Sequence, residues 1–305
     1  MIRAWRGRWR RLSTAAAAAV AVIVAAGLTG EAAARPQYPV NYDLFSAFGG
    51  GSLAPNTPPP GANRFACRSA AHPRPVILVH GFMANQYNSW QAMAPRLANE
   101  GYCVFTLTTG QLPPGGPFGN LNKMAVSARQ LSAFVDTVRA RTGAHQVDVI
   151  GHSLGGTVQS IYIKHYGGAA KVFRAISVGG VVSGYPTVSG LATVEIPGMR
   201  KLLEGPCPGC NEFADPNTYI QLRKTDPRVR YVAIASTHDE FVTPTQNALL
   251  PPAPNVTNVL VQTACPSSMV GHLALLYDRG VIAMVLNHLD PDRATAVPCQ
   301  PGIPV

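Results

Sequence analysis

Strands buried on both faces of a parallel sheet read as short unbroken apolar runs, and amphipathic helices as apolar positions three and four apart. Both patterns recur along this chain. Val76-Ile77-Leu78-Val79-His80 predicts a first strand, followed by Gly81-Phe82-Met83 as a loop. Trp90, Met93 and Leu97 stand at helical spacing and predict a helix over 86–99. Residues 103–107 read as a second strand. Met124, Ala128, Leu131, Val135 and Val138 predict a long amphipathic helix over 122–141. Val147-Asp148-Val149-Ile150 begins a third strand, and the helix after it runs to about Tyr166. Residues 172–178, 231–235 and 256–261 complete the strands, and 273–286 predict a closing helix. Strands alternating with helices predict an α/β fold, with a mostly parallel central sheet covered on both faces.

Three stretches fall outside this alternation. Residues 1–34 start basic (Arg3, Arg6, Arg8, Arg10, Arg11), continue through an apolar run from Ala15 to Leu28, and end on Ala32-Ala33-Ala34. That order predicts a cleaved secretory signal peptide and hence an extracellular protein. The apolar run is shorter than the ~20 residues a membrane-spanning helix needs. Residues 35–70, rich in Pro, Gly and Asn, predict an N-terminal arm without a core of its own, docked through Tyr42, Leu44, Phe45 and Phe48. Residues 71–305 are then expected to form the main α/β domain. Within it, 183–226 hold prolines, glycines and weak periodicity, which predicts a lid or cap.

The third strand runs into Gly151-His152-Ser153-Leu154-Gly155-Gly156. Strand, G-x-S-x-G turn and helix in succession are the context of a nucleophile elbow. The turn is sharp, so small residues must flank the serine, and Gly151, Gly155 and Gly156 do. A serine hydroxyl needs a base, and the base an acid to orient it. In an elbow fold the order is serine, acid, histidine. His272, after the last strand, is the expected base; His288, at the end of an apolar helix, reads as a capping or surface residue. Asp239, just past 231–235, is the expected acid, with Glu240 as runner-up. Asp215 and Asp226 precede prolines and read as turn residues. Two backbone N–H groups should form the oxyanion hole, those of Leu154 and Phe82. His80 lies ahead of the acid and reads as loop-shaping. His152 adjoins the serine on a sharp turn and so points away from it. Trp90, Tyr87 and Phe118 fit an acyl groove and ordinary packing equally well.

Composition narrows the class. Of 305 residues, 47% are hydrophobic, enough for a large core. Only 13% are charged, against a usual ~25%, as suits an exported surface. Without residues 1–34 there remain 20 basic and 14 acidic residues, a net of +6, with no basic run interleaved with aromatics. No nucleic-acid partner is expected, and the chain is expected to be a monomer. The six cysteines imply disulfides in an exported chain. They allow 15 pairings, which sequence alone does not resolve. Proximity along the expected path favours Cys67–Cys103, Cys207–Cys210 and Cys265–Cys299. A redox or zinc role for Cys207-Pro208-Gly209-Cys210 lacks the surrounding unit or second ligand pair either would need. No cofactor or metal is expected.

Val76 to Phe82, Val149 to Gly156, Asp239-Glu240-Phe241-Val242-Thr243-Pro244 after Thr237-His238, and Gly271-His272-Leu273 together resemble secreted bacterial lipases and esterases of the α/β-hydrolase fold. The resemblance covers roughly residues 75–290 and is strongest to the actinobacterial triacylglycerol lipase group. It implies hydrolysis of carboxylic esters, lipid esters above all, at a lipid–water interface or on small esters. The triad roles fall on Ser153, Asp239 and His272, and the oxyanion roles on Phe82 and Leu154. A cell-envelope acyltransferase would share the same acyl-enzyme, and a binding protein keeping only the fold is the third reading.

Overall fold

Val76-Ile77-Leu78-Val79 carries no polar side chain and three β-branched residues, so both of its faces can be buried. All four are fully buried in β1 (Val76–Val79). The computed structural model describes residues 37–183 and 198–305. The expected signal peptide, the start of the arm and residues 184–197 of the expected lid lie outside the described residues. The other strands are β2 (Val104–Leu107), β3 (Val147–His152), β4 (Val172–Val178), β5 (Arg230–Ala235) and β6 (Val256–Leu260). They form one sheet in the order β2-β1-β3-β4-β5-β6, with every pairing parallel. The fold is α/β, as the alternation of patterns predicts.

In chain order the helices are α1 (Leu44–Leu53), α2 (Gln86–Trp90), α3 (Met93–Asn99), α4 (Met124–Thr142), α5 (Leu154–His165), α6 (Met199–Leu203), α7 (Pro208–Phe213), α8 (Pro216–Ile220), α9 (Val261–Ala264) and α10 (Arg279–Leu289). The period-two geometry of β1 divides the core. Ile77 and Val79 pack with Leu131 and Val135 of α4 and Val158 and Tyr162 of α5. Val76 and Leu78 pack with Met93 and Leu97 of α3 and Val281 and Val285 of α10. With all strands parallel, the loops after β1, β3, β5 and β6 leave from one edge of the sheet, where α/β proteins place their sites.

Three expectations need correction. The helix over 86–99 is two helices. Pro95 has no N–H to offer the carbonyl four residues back at Gln91, and the break falls at Gln91 and Ala92. The closing helix begins at Arg279 rather than 273, because the Asp278 carboxylate accepts from the Val281 N–H at 2.9 Å and caps it there. Residues 274–276 form a separate 3₁₀ turn. The arm contains α1, capped by Asp43, whose side chain accepts from the Phe45 and Ser46 N–H groups. Leu44 docks as expected, but Phe45 is 71% exposed. Tyr42 lies beneath the Arg279 guanidinium, 3.7 Å from its ring centre. The glycines that hide α1 from a propensity reading let it lie against α2. A Cβ at Gly50 would come within 2.6 Å of the Tyr87 ring, and one at Gly51 within 2.6 Å of Asn88 Cβ.

Three disulfides are present, Cys67–Cys103, Cys207–Cys210 and Cys265–Cys299, the pairings that proximity along the path favours.

Candidate active site

β3 ends at His152 and α5 begins at Leu154, so the reversal of direction falls on Ser153 alone. Ser153 takes φ 52° and ψ −126°, a conformation an L-residue adopts only where its surroundings impose it. The imposing contacts are backbone against backbone. A Cβ at Gly151 would lie 2.5 Å from the Gly155 carbonyl, and one at Gly155 would lie 2.1 Å from the Val79 oxygen. These glycines let β1, β3 and the first turn of α5 converge on the serine. The Ser153 N–H donates to the Val178 oxygen at 3.1 Å, tying the turn to β4.

The loop after β1 is shaped by His80, as its sequence position predicts. Thr109 N–H donates to its Nε2 at 3.0 Å, so the ring proton sits on Nδ1, which donates to the Gly81 oxygen at 2.8 Å. Asn120 Nδ2 also donates to the His80 and Gly81 carbonyls. The loop is thereby folded over the serine: a Cβ at Gly81 would stand 3.0 Å from Ser153 Cβ. Among the described residues the Phe82 N–H has no hydrogen-bond acceptor, whereas the next one, of Met83, donates to Gly119. Leu154, as first residue of α5, has no intrahelical acceptor for its N–H. Two unspent donors thus flank Ser153, at the positive end of a helix dipole.

Burial holds two imidazoles neutral. His80 is lowered from 6.5 to about 4 by desolvation, against its hydrogen bond to Gly81. His152 is lowered from 6.5 to about 3 by desolvation and then by the neighbouring His272. Both folded values lie below the unfolded one, so the unfolded chain binds more protons as pH falls below 6.5. Their contribution is complete at pH 7, shrinks from pH 6.5 downward and is nearly gone at the folded values. Each costs roughly 3 kcal/mol of stability on going from pH 7 to 4. Urea unfolding at pH 7, 5.5 and 4 checks this, and His80→Gln removes its own share of the slope.

On the loop after β5, both Asp239 carboxylate oxygens are engaged. Oδ1 accepts from the Phe241 and Val242 N–H groups at 2.9 and 2.8 Å. Oδ2 stands 2.8 Å from His272 Nδ1. Burial opposes ionisation, but the His272 partner and the two N–H groups outweigh it and hold the carboxyl below its ordinary value. Gly179, at φ 54°, clears the pair: its absent Cβ would meet Asp239 Oδ2 at 3.1 Å and His272 Nδ1 at 3.4 Å. The runner-up acid, Glu240, does not touch the ring. Its Oε2 accepts from the His272 backbone N–H at 2.9 Å. His288 lies in the last turn of α10, lowered by burial and by Arg174 near the far end of β4. Asp215 caps α8, and Asp226 accepts from the Arg228 N–H.

Ser153 and His272 line one cavity of about 590 Å³. Among the described residues no hydrogen bond joins the hydroxyl to the ring, and catalytic hydrogen bonds of this kind commonly tighten only in the substrate complex. Apart from Ser89 and His152 the remaining wall is apolar, with Phe48, Phe82, Leu121, Leu203, Phe213 and Leu276 among its residues. Trp90 is core, fully buried, and neither it nor Tyr87 nor Phe118 lines the cavity. Phe213 and the Cys207–Cys210 disulfide carry no periodicity that sequence reading could use, yet they form part of the wall. Phe213 stacks on Phe82 at 5.6 Å, and Glu212 beside it accepts from the Met124 N–H at 2.6 Å, capping α4 from a distance.

Residues 73–184 match the family Lipase (class 2), a segment under half the chain that holds β1 to β4 and Ser153. Over 93 residues the chain is 38% identical to a triacylglycerol lipase of Pseudarthrobacter phenanthrenivorans, covering 28% of this chain and 27% of that one. It is equally identical over the same length to one of Burkholderia plantarii, covering 24% of that chain. The chain thus spans about a quarter of the length of the curated relatives it matches. Among solved structures, Aspergillus fumigatus lipase B superposes with a TM-score of 0.55 at 18% identity, over 80% of this chain and 57% of that one. A Bacillus licheniformis lipase in mature form gives 0.54 at 15% identity, over 73% and 94%. At these identities the likeness is one of fold.

Proposed function

We propose, starting from the class 2 lipase match over residues 73–184, that the chain is a secreted serine hydrolase of carboxylic esters, acting on lipid esters through an acyl-enzyme on Ser153. The observation that carries the reading is His272, bonded to the buried Asp239 behind it and lining the same cavity as a serine held at positive φ. Ser153 Oγ attacks the ester carbonyl carbon as His272 Nε2 takes its proton. The carbonyl oxygen becomes an oxyanion beside the Phe82 and Leu154 N–H groups, each such donor contributing about 3 kcal/mol in the transition state. Asp239 keeps the ring proton on Nδ1, leaving Nε2 free to accept, and stabilises the imidazolium that forms. His272 returns the proton to the departing alkoxide, which leaves as the alcohol. Water attacks the acyl-enzyme by the same route in reverse and frees the acid.

The lipid preference rests on the wall. Apolar residues line most of the cavity, and two of them, Met83 and Phe241, also remain exposed. An acyl chain would gain about 0.8 kcal/mol for each methylene it buries there. The test is hydrolysis of acyl esters from short to long, with and without an emulsion, with products analysed in the presence of alcohol acceptors. Rates that rise with chain length and at the emulsion support a lipase. A confinement to short soluble esters reduces the reading to an esterase, and acyl transfer in preference to hydrolysis replaces it with an acyltransferase.

A further inference from the structure

The Asp239 carboxylate fixes only one nitrogen of the His272 ring, and a ring can pivot about such a contact unless its main chain is held as well. Here the main chain is held from both sides. The Glu240 carboxylate accepts from the His272 N–H at 2.9 Å. The His152 ring contacts the His272 carbonyl oxygen through Nε2 at 3.1 Å, and because a carbonyl only accepts, that nitrogen carries the proton. The flanking peptides are fixed too. Gly271 N–H donates to the Ile303 oxygen and Ala274 N–H to the Val305 oxygen, both at 2.8 Å. The disulfide Cys265–Cys299 ties together the two segments that run into this contact. Gly271 makes the arrangement possible, since a Cβ there would stand 2.7 Å from Glu240 Oε2 and 2.4 Å from Val305 N.

We infer that Glu240 and His152 are positioning residues for the base: they grip the His272 peptide units at N–H and carbonyl and so set where Nε2 stands relative to the serine. The inference rests on the reading of His272 as the base. It also accounts for two residues that mechanism leaves idle. Glu240 is the acidic neighbour that never touches the ring. His152 lies next to the nucleophile on the chain, its ring centre 4.7 Å from that of His272. Glu240 is itself exposed and packs into neither core cluster, so truncating it frees the His272 N–H while leaving the core packing as it is.

Two readouts test this, one independent of turnover. In the full chain, the proton on His272 Nδ1, hydrogen-bonded to Asp239, gives a downfield proton NMR resonance. In Glu240→Ala that resonance broadens or disappears, and kcat on p-nitrophenyl butyrate falls roughly 10- to 100-fold with KM within about twofold, the cost of a misplaced reacting group. Glu240→Gln, which keeps an oxygen for the N–H, retains the resonance and stays within about threefold of the parent kcat. His152→Gln, whose amide can donate to the same carbonyl, behaves like Glu240→Gln, and His152→Leu like Glu240→Ala. A Glu240→Ala protein that keeps both resonance and kcat overturns the inference. So does a Glu240→Gln protein as impaired as Glu240→Ala, since charge rather than grip would then be acting. If the parent protein shows the resonance and Glu240→Ala loses it, but no ester is turned over, the grip stands and the hydrolase reading fails.

Discussion

Ser153→Ala lowers kcat on p-nitrophenyl butyrate by about 10⁵-fold or more while the protein stays folded. The size follows from the role. Without the hydroxyl no acyl-enzyme forms, and what remains is the help that the Phe82 and Leu154 donors give to direct attack by water. That residue of catalysis is about 10³- to 10⁴-fold over the uncatalysed reaction in comparable serine enzymes. The fold should tolerate the change. Among the described residues the Ser153 hydroxyl has no hydrogen-bond partner, and the turn is imposed by Gly151 and Gly155 rather than by the serine side chain. Alanine and serine both carry a Cβ that disfavours φ 52°, so the strain is common to both proteins. Thermal unfolding should shift by no more than a few degrees, equivalent to about 1 kcal/mol.

Asp239→Asn is the second large effect, about 10⁴-fold in kcat with little change in KM. The amide oxygen can still accept from the Phe241 and Val242 N–H groups, so the loop keeps its shape. The amide nitrogen then faces His272 Nδ1 where Oδ2 stood at 2.8 Å. It donates, which leaves Nδ1 as acceptor and puts the ring proton on Nε2. A ring protonated on Nε2 cannot take the serine proton. Glu240 cannot stand in, because its carboxylate holds the His272 backbone N–H on the other side of the peptide. Steady-state kinetics corrected by active-site titration checks the size, and an equal loss in Glu240→Gln would assign the acid wrongly.

The sheet was legible because parallel strands buried on both faces leave unbroken apolar runs. The bounds of β4 follow from its run alone, and β1 and β2 differ from expectation by a residue. The serine turn was legible because its glycines answer a steric need that no other residue meets. The order of serine, acid and histidine along the chain picks out residues that the fold brings to one edge of the sheet. What stayed hidden depends on distant contacts. Helix α1 exists because Gly50 and Gly51 meet Tyr87 and Asn88, and glycine reads locally as a helix breaker. Phe213 reaches the cavity because Gly209 and Glu212 dock on residues 121–124, a packing with no periodic signature. Glu240 and Asp239 are equally acidic and adjacent, and only the direction of each side chain separates ring partner from peptide partner.

The central claim is that Ser153 is made nucleophilic by His272. It is tested most directly by reacting the folded protein with a fluorophosphonate and locating the adduct by peptide mass spectrometry. One adduct, on the peptide containing Ser153, formed quickly in the parent protein and at least about 10³-fold more slowly in His272→Ala, is the result expected. No adduct, an adduct on another residue, or the same rate without the imidazole would contradict it.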